Sequence, residues 1–160
     1  MVQFEFFNTG YEALFTGLLS ASTAQIIKVI TYLCIHKKLN FKIFTTTGGM
    51  PSSHTAGVIG LTTSIALIEG ASSMPFAVAM GLSLIVMQDA SGVRRAAGKT
   101  AATLNRLVDE FVQKNQGIKP YATLKELLGH TPLEVFCGML LGIFMATIVH
   151  YYKHIMAFFA

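Results

Sequence analysis

The sequence predicts an all-α fold: a polytopic membrane helix bundle of about four transmembrane helices, with an amphipathic cytoplasmic helix between spans three and four. Three observations carry this. Only 12% of the 160 residues are charged while 52% are hydrophobic, and the mean hydropathy is +0.56. That charged share is about half the globular average. The apolar residues gather in four long runs, and about 20 apolar residues suffice for a helix to cross the hydrocarbon core. One later segment instead spaces its apolar residues at helical intervals among charges. No repeat, low-complexity stretch or linker divides the chain, so residues 1–160 read as a single membrane domain.

In chain order, residues 1–8 hold Phe4, Phe6 and Phe7 beside Glu5. Such aromatics suit a membrane interface, and the absence of a basic n-region argues against a cleaved signal peptide. The first span, 13–35, is interrupted by Gln25 and Lys28. A lysine in lipid is costly, so Lys28 either faces protein, water or a bound anion, or snorkels to the interface. A polar loop, 36–47, follows with Lys37, Lys38 and Lys42. The second span, 51–68, opens on Pro51, Ser52 and Ser53, residues that start helices. Its Ala56, Gly57, Gly60, Ser64 and Ala66 permit close helix packing. A turn at 69–73 leads into the third span, 75–87, and the two spans form a helical hairpin.

Residues 89–95 end that span. From 99 to 116, Leu104, Leu107, Val108 and Phe111 follow i, i+3, i+4, i+7 spacing, with Arg106, Asp109, Glu110, Gln113 and Lys114 between them. This is an amphipathic helix lying on the membrane or the bundle. A break at 117–121 contains Pro120. Thr123, Leu124, Lys125 and Glu126 read as a capping box, and Gly129 can end that short helix. Thr131, Pro132, Leu133 and Glu134 form a second such pattern with proline at the first helical position. It opens the fourth span, 133–152, along which lie Gly138, Gly142 and Ala146. Cys34 and Cys137 sit in apolar runs and read as buried free thiols. No Cys/His cluster has zinc-ligand spacing, so neither metal nor cofactor is expected.

The charges set the topology. Of twelve basic residues, three lie in the loop before the second span and seven between the third and fourth: Arg94, Arg95, Lys99, Arg106, Lys114, Lys119 and Lys125. The N-terminal segment and the hairpin turn carry Glu5, Glu12 and Glu69 and no cation. The positive-inside rule puts both basic loops in the cytoplasm and both termini outside. The net charge of +4 is modest, and no nucleic-acid partner is expected. His54 and His130 both stand where a cytoplasmic loop enters a span, so they share one depth and can meet.

Around His54, Gly48 and Gly49 let backbone approach a ligand closely. A helix start beside them offers free N–H groups to an anion. Two histidines at such a place can divide the work of phosphoryl transfer. One attacks phosphorus as a neutral imidazole; the other protonates the leaving alkoxide and then activates water. The phosphoryl oxygens need fixed cations and N–H donors, and Lys28, Lys42, Arg94 and Arg95 are candidates. Glu134, one turn after His130, can accept its second ring N–H and fix the tautomer; equally, it can close the capping box with Thr131. Asp89 can pair structurally with Lys28 or Arg94.

Pro51-Ser52-Ser53-His54 resembles the Pro-Ser-Gly-His motif of type 2 phosphatidic acid phosphatases and vanadium haloperoxidases. His130, with Glu134, Val135 and Gly138 after it, resembles that superfamily's later motif. The chain is closer still to a divergent, acid phosphatase/haloperoxidase-related membrane family of small bacterial and plant proteins, through Gly48 to Ala56, Asp89 to Arg95 with Gly98, and Gly129 to Gly142. The resemblance implies that His130 is the phosphate-accepting nucleophile, His54 the general acid and base, and Glu134 the group that orients His130. Ser52 and Ser53 would contact phosphate, beside the close-approach backbone read independently at Gly49. The superfamily's first motif, a lysine with an arginine seven residues on, has no clear counterpart, and Lys28 is its nearest substitute. The Ser-Arg that precedes the second histidine is also missing, with Arg94 and Arg95 as replacements from another helix. Ser53 stands in the motif's glycine position.

The expected function is a metal-independent lipid phosphate phosphatase at the cytoplasmic face of a bacterial inner membrane, working through a phosphohistidine. Its partner would be a phosphorylated membrane lipid, phosphatidylglycerophosphate first and prenyl phosphates next. Two other classes fit the same residues: a non-catalytic lipid-phosphate binder or assembly protein, and a small transporter or channel component using Lys28, Gln25 and Asp89. Small-residue faces would permit a homodimer.

Overall fold

The computed structural model describes residues 6–37, 48–114, 123–124 and 129–159, the stretch 153–159 as backbone only. Among these residues the chain is helical and has no strand. Helix α1 spans Gly10–His36, α2 Ser53–Glu69, α3 Met74–Gln88, α4 Arg94–Lys114 and α5 Pro132–Phe159, with a π-helical turn at Asp89–Val93 joining α3 to α4.

Local chemistry fixes most ends. Before α1, the Glu12 carboxylate reaches back to accept the Asn8 N–H at 2.6 Å. Lys37 ends that helix in the left-handed region at φ 52° and donates its N–H to the Leu33 carbonyl at 2.8 Å. Helix α2 begins two residues later than its sequence suggests: Pro51 precedes it, and Ser52 caps it by accepting from the Thr55 N–H at 3.4 Å. Gly70, at φ 89°, turns the chain out of α2. Ser73 then caps α3, with Pro75 in the first turn. Both helices begin as N-terminal proline and hydroxyl signals predict.

The end of the third span differs from expectation. Residues 89–95 do not stop the helix; Met74–Lys114 is one 41-residue run through the π turn. The run's one proline, Pro75, sits in its first turn, where a helix tolerates it, and a π turn absorbs one extra residue without breaking the hydrogen-bond ladder. The amphipathic helix therefore starts at Arg94 rather than 99. The basic loop residues 38–47, the break at Pro120, and Lys125 and Glu126 of the first capping box lie outside the described residues.

Helix α2 packs against α1, α3 and α5. Its neighbours approach through glycines. A Cβ added to Gly138 of α5 would lie 2.5 Å from the Ser52 carbonyl oxygen, and one on Gly142 2.7 Å from that of Ala56. On the other side, a Cβ on Gly17 of α1 would come within 3.1 Å of the Gly57 carbonyl oxygen. The α2–α3 contact carries a hydroxyl pair, Thr62 and Ser83, at 2.8 Å, and Ser83 also donates to the Val58 carbonyl at 3.2 Å. Hydroxyls that bond across or along helices need no water, so they suit a bilayer interior.

The interior is small and the exterior is large. Buried apolar residues include Ala13, Ala24, Ala56, Ala79 and Ala146, whereas Leu14, Leu18, Leu82, Ile85 and Phe144 are exposed. In water this arrangement would waste the hydrophobic effect; in lipid, outward apolar bulk costs nothing and small residues let backbones approach. Three runs are long and apolar enough to span: α1, the α3–α4 run and α5. Helix α2, with 17 residues, stands at the lower limit for crossing. Cys34 and Cys137 are both free. Neither is buried as expected: Cys34 is exposed and Cys137 half-buried, because the outward face of a membrane helix meets lipid instead of protein.

Candidate functional site

The site forms where the C-terminal end of α3 meets the N-terminal ends of α2 and α5. Gly129 takes φ 87°, and a Cβ there would overlap the backbone at Arg94 and Arg95. Only glycine lets this strand of chain lie against the start of α4. The next residue, His130, donates its backbone N–H to the Ala90 carbonyl in the π turn at 2.8 Å. Thus two backbone contacts seat the histidine before its side chain is considered. A π turn at such a place has an evident use: it exposes a carbonyl to a partner outside its own helix.

The alternatives left open for Glu134 are realised together. Its Oε2 lies 3.1 Å from His130 Nδ1 and accepts the Thr131 N–H at 3.0 Å. Thr131 Oγ1 in turn accepts the Glu134 N–H at 3.3 Å, completing the capping box. The Glu134 carbonyl also accepts the Ser52 N–H at 3.0 Å, tying the start of α5 to the start of α2. With Nδ1 given to the carboxylate, the proton sits on Nδ1 and the lone pair on Nε2. His130 is 3% exposed, and its Nε2 has no partner among the described residues.

His130, His54, Asp89, Arg94, Val86 and Ala90 line a cleft of about 120 Å³. The structure therefore brings the two histidines to one cavity. Arg94 donates through Nε to Asp89 Oδ2 at 2.5 Å, so Asp89 pairs with Arg94 rather than Lys28. Arg95 is turned elsewhere. With Gly48, Gly49, Lys99 and Glu134 it lines a second cleft of about 410 Å³, which meets the first at His130. Lys28 is 4% exposed and its Nζ is unpartnered among the described residues. Its stem passes 3.9 Å from where a Cβ on Gly49 would sit, so it neither snorkels outward nor pairs.

Ser52 is fully buried, and its Oγ accepts from the Thr55 hydroxyl at 3.0 Å while keeping its own O–H to donate. Ser53 is 8% exposed. Lys42 lies outside the described residues. Burial pushes the His130 imidazole below its ordinary pKa; its hydrogen bond to Glu134 opposes this, and the Lys28 charge reinforces it. Neutral imidazole is the form that keeps a nucleophilic lone pair. Among the described residues no three His, Cys, Asp or Glu side chains cluster as metal ligands.

The profile of the divergent PAP2 family matches residues 10–145, a stretch that includes both histidines, Lys28 and Glu134. The chain belongs to the divergent PAP2 family. A relative in Bacillus subtilis (strain 168), an uncharacterized membrane protein called YuiD, is 41% identical over 148 residues, 87% of this chain and 94% of its own. No solved structure matches the chain. Like that relative, this divergent PAP2 protein is an integral membrane protein, in keeping with its outward apolar helices.

Two features lay beyond sequence reasoning. The Ala90 carbonyl that holds His130 has no side-chain signature. At the other end of the bundle, Glu12 is fully buried and its Oε1 lies 2.8 Å from His150 Nδ1. Thr9 followed by Glu12 is itself a capping-box spacing, which could have flagged the glutamate but not its partner 138 residues away.

Proposed function

We propose that this protein is a lipid phosphate phosphatase, with His130 as nucleophile and His54 as general acid and base. The observation that carries the reading is a pair of buried groups on neighbouring elements, Lys28 Nζ and His130 Nε2, neither with a partner among the described residues. An isolated buried ammonium costs on the order of several kcal/mol, and a phosphate oxygen would offset that cost. The start of α2 adds N–H donors and the positive end of a helix dipole.

The chemistry balances with these residues alone. His130 Nε2 attacks phosphorus, and the bond from phosphorus to the lipid oxygen breaks. Protonated His54 gives its proton to the leaving oxygen, which departs as an alcohol. His54, now neutral, takes a proton from water, whose oxygen attacks the phosphohistidine. The P–N bond breaks, inorganic phosphate leaves, and His130 recovers its lone pair. Glu134 does not touch substrate; it positions His130 and steadies its charge as the intermediate forms. Arg94, held by Asp89, offers its remaining guanidinium N–H groups to the phosphoryl oxygens. The charge pattern supports a cytoplasmic site and hence a lipid made on that side.

The pairing of Arg94 with Asp89 favours one second reading, a lipid-phosphate binder whose cationic cage is too incomplete for turnover. Purified protein with phosphatidylglycerophosphate, phosphatidic acid and prenyl phosphates separates the two. Wild-type protein is expected to release phosphate without added magnesium, with His130→Ala and His54→Ala each lowering kcat by about 10²–10⁴-fold. Release unchanged in both variants would sink the mechanism. Binding without release from any lipid would select the second reading.

A further inference from the structure

A groove of about 420 Å³ runs between α1 and α2, and no other described element closes it. Ser53 and His54 line one end; Leu14, Leu18, Val58 and Leu61 line the rest. Polar and apolar ends are ordered along both helices. On α1 the lining runs from Leu14 to Gln25, and on the antiparallel α2 it runs from Leu61 to His54. Leu14 and Leu18, at its lip, are 56% and 61% exposed.

We infer that this groove seats one acyl or prenyl chain of a lipid phosphate whose headgroup lies at His54. The inference rests on the phosphatase reading for the position of the headgroup and on the groove for the chain. Leu14 to Gln25 is eleven steps of helix, a length of about 16 Å. That is roughly half the ~30 Å hydrocarbon core, the depth of one leaflet. A chain hung from a phosphate at the interface would reach the groove's far end near the bilayer midplane. The proposal places one chain in the groove; a second chain, where the lipid has one, lies in the surrounding bilayer. A bulk lipid could also lie against these helices, but it would have no tie to the polar end at His54.

The chain contains no tryptophan, which permits a direct test. Ser22 is exposed and lines the groove; Leu82 of α3 is 51% exposed elsewhere on the bundle. Single-tryptophan variants Ser22→Trp and Leu82→Trp are placed in phosphatidylcholine vesicles containing a few mole percent of lipid brominated along its chain. Bromine quenches tryptophan only at contact. Brominated phosphatidic acid is expected to quench the Ser22→Trp protein at least threefold more than brominated phosphatidylcholine at the same fraction. Quenching of the Leu82→Trp protein should be equal for the two lipids. Adding Lys28→Gln should erase the preference. Equal quenching of the Ser22→Trp protein by both lipids would mean annular lipid only and would overturn the proposal. A preference without phosphate release by wild-type protein would keep the groove and sink the phosphatase. Release without a preference would do the reverse.

Discussion

At the scale of single residues, His130 is decided by where each ring nitrogen points. Nδ1 is held by Glu134 and Nε2 has no partner among the described residues, so in the proposed mechanism one carboxylate determines which nitrogen attacks. Replacing Glu134 by Gln keeps the shape and removes the charge. Glu134→Gln is expected to lower kcat by about 10²-fold or more with little change in KM, since the lost interaction strengthens only as His130 becomes charged. Its pH profile gives a second reading. Burial puts His130 below its ordinary value of 6.5, and Glu134 resists that shift. The acid limb of kcat/KM should therefore lie below pH 6.5 in wild type and move lower still in Glu134→Gln. An unmoved limb would remove Glu134 from the site. The same shift bears on stability. A histidine with a depressed folded pKa contributes fully above about pH 6.5, and the contribution is lost as pH falls from there through the folded value.

At the scale of elements, glycines decide which helices can meet. Gly138 and Gly142 put the start of α5 against the backbone of α2, the same contact that carries Ser52 to Glu134. Gly138→Leu would force the two helices apart, at a cost of about 1–3 kcal/mol or more for an overpacked interface. A lower midpoint in detergent-titrated unfolding, together with lost phosphate release, is the expected result; wild-type stability would refute the contact. Gly129 is a different case, because its backbone angle and its closeness to Arg95 both exclude a side chain. Gly129→Ala should abolish activity while leaving the helix content measured by circular dichroism unchanged, since only the seat of His130 moves. The π turn belongs to this scale as well. It was unreadable in sequence because Asp89, Ala90, Ser91, Gly92 and Val93 suit a loop equally well.

At the scale of the whole molecule, the helix ends sort into two sets. The ends at Ser53, Asp89 and Pro132 converge on the candidate site, while Glu12 of α1 meets His150 of α5 at the far end. Among the described residues, Lys37, Arg94, Arg95 and Lys99 belong to the first end and Glu12 and Glu69 to the second, while Lys153 follows His150 on α5. If the first end faces the cytoplasm, single cysteines replacing Lys114 and Ser72, in a background with Cys34→Ser and Cys137→Ser, should behave oppositely in intact cells. An impermeant maleimide is expected to label Ser72→Cys and not Lys114→Cys. The converse pattern would invert the topology and place the site outside.

Sequence by itself determined the helical membrane architecture, since a bilayer leaves backbone polar groups no partner but their own helix. It also determined the family, through motifs short enough to be read locally, and with them the candidate pair His54 and His130. Tertiary structure decided what those residues face. Lys28 could have snorkelled; packing against Gly49 buried it instead. Asp89 could have paired with either of two cations, and the π turn gave it Arg94. Arg94 and Arg95 looked interchangeable, but consecutive residues on a helix point about 100° apart, and the helix turned them into different clefts. The groove between α1 and α2 had no sequence signal at all, because it is made by two helices that leave a gap between them.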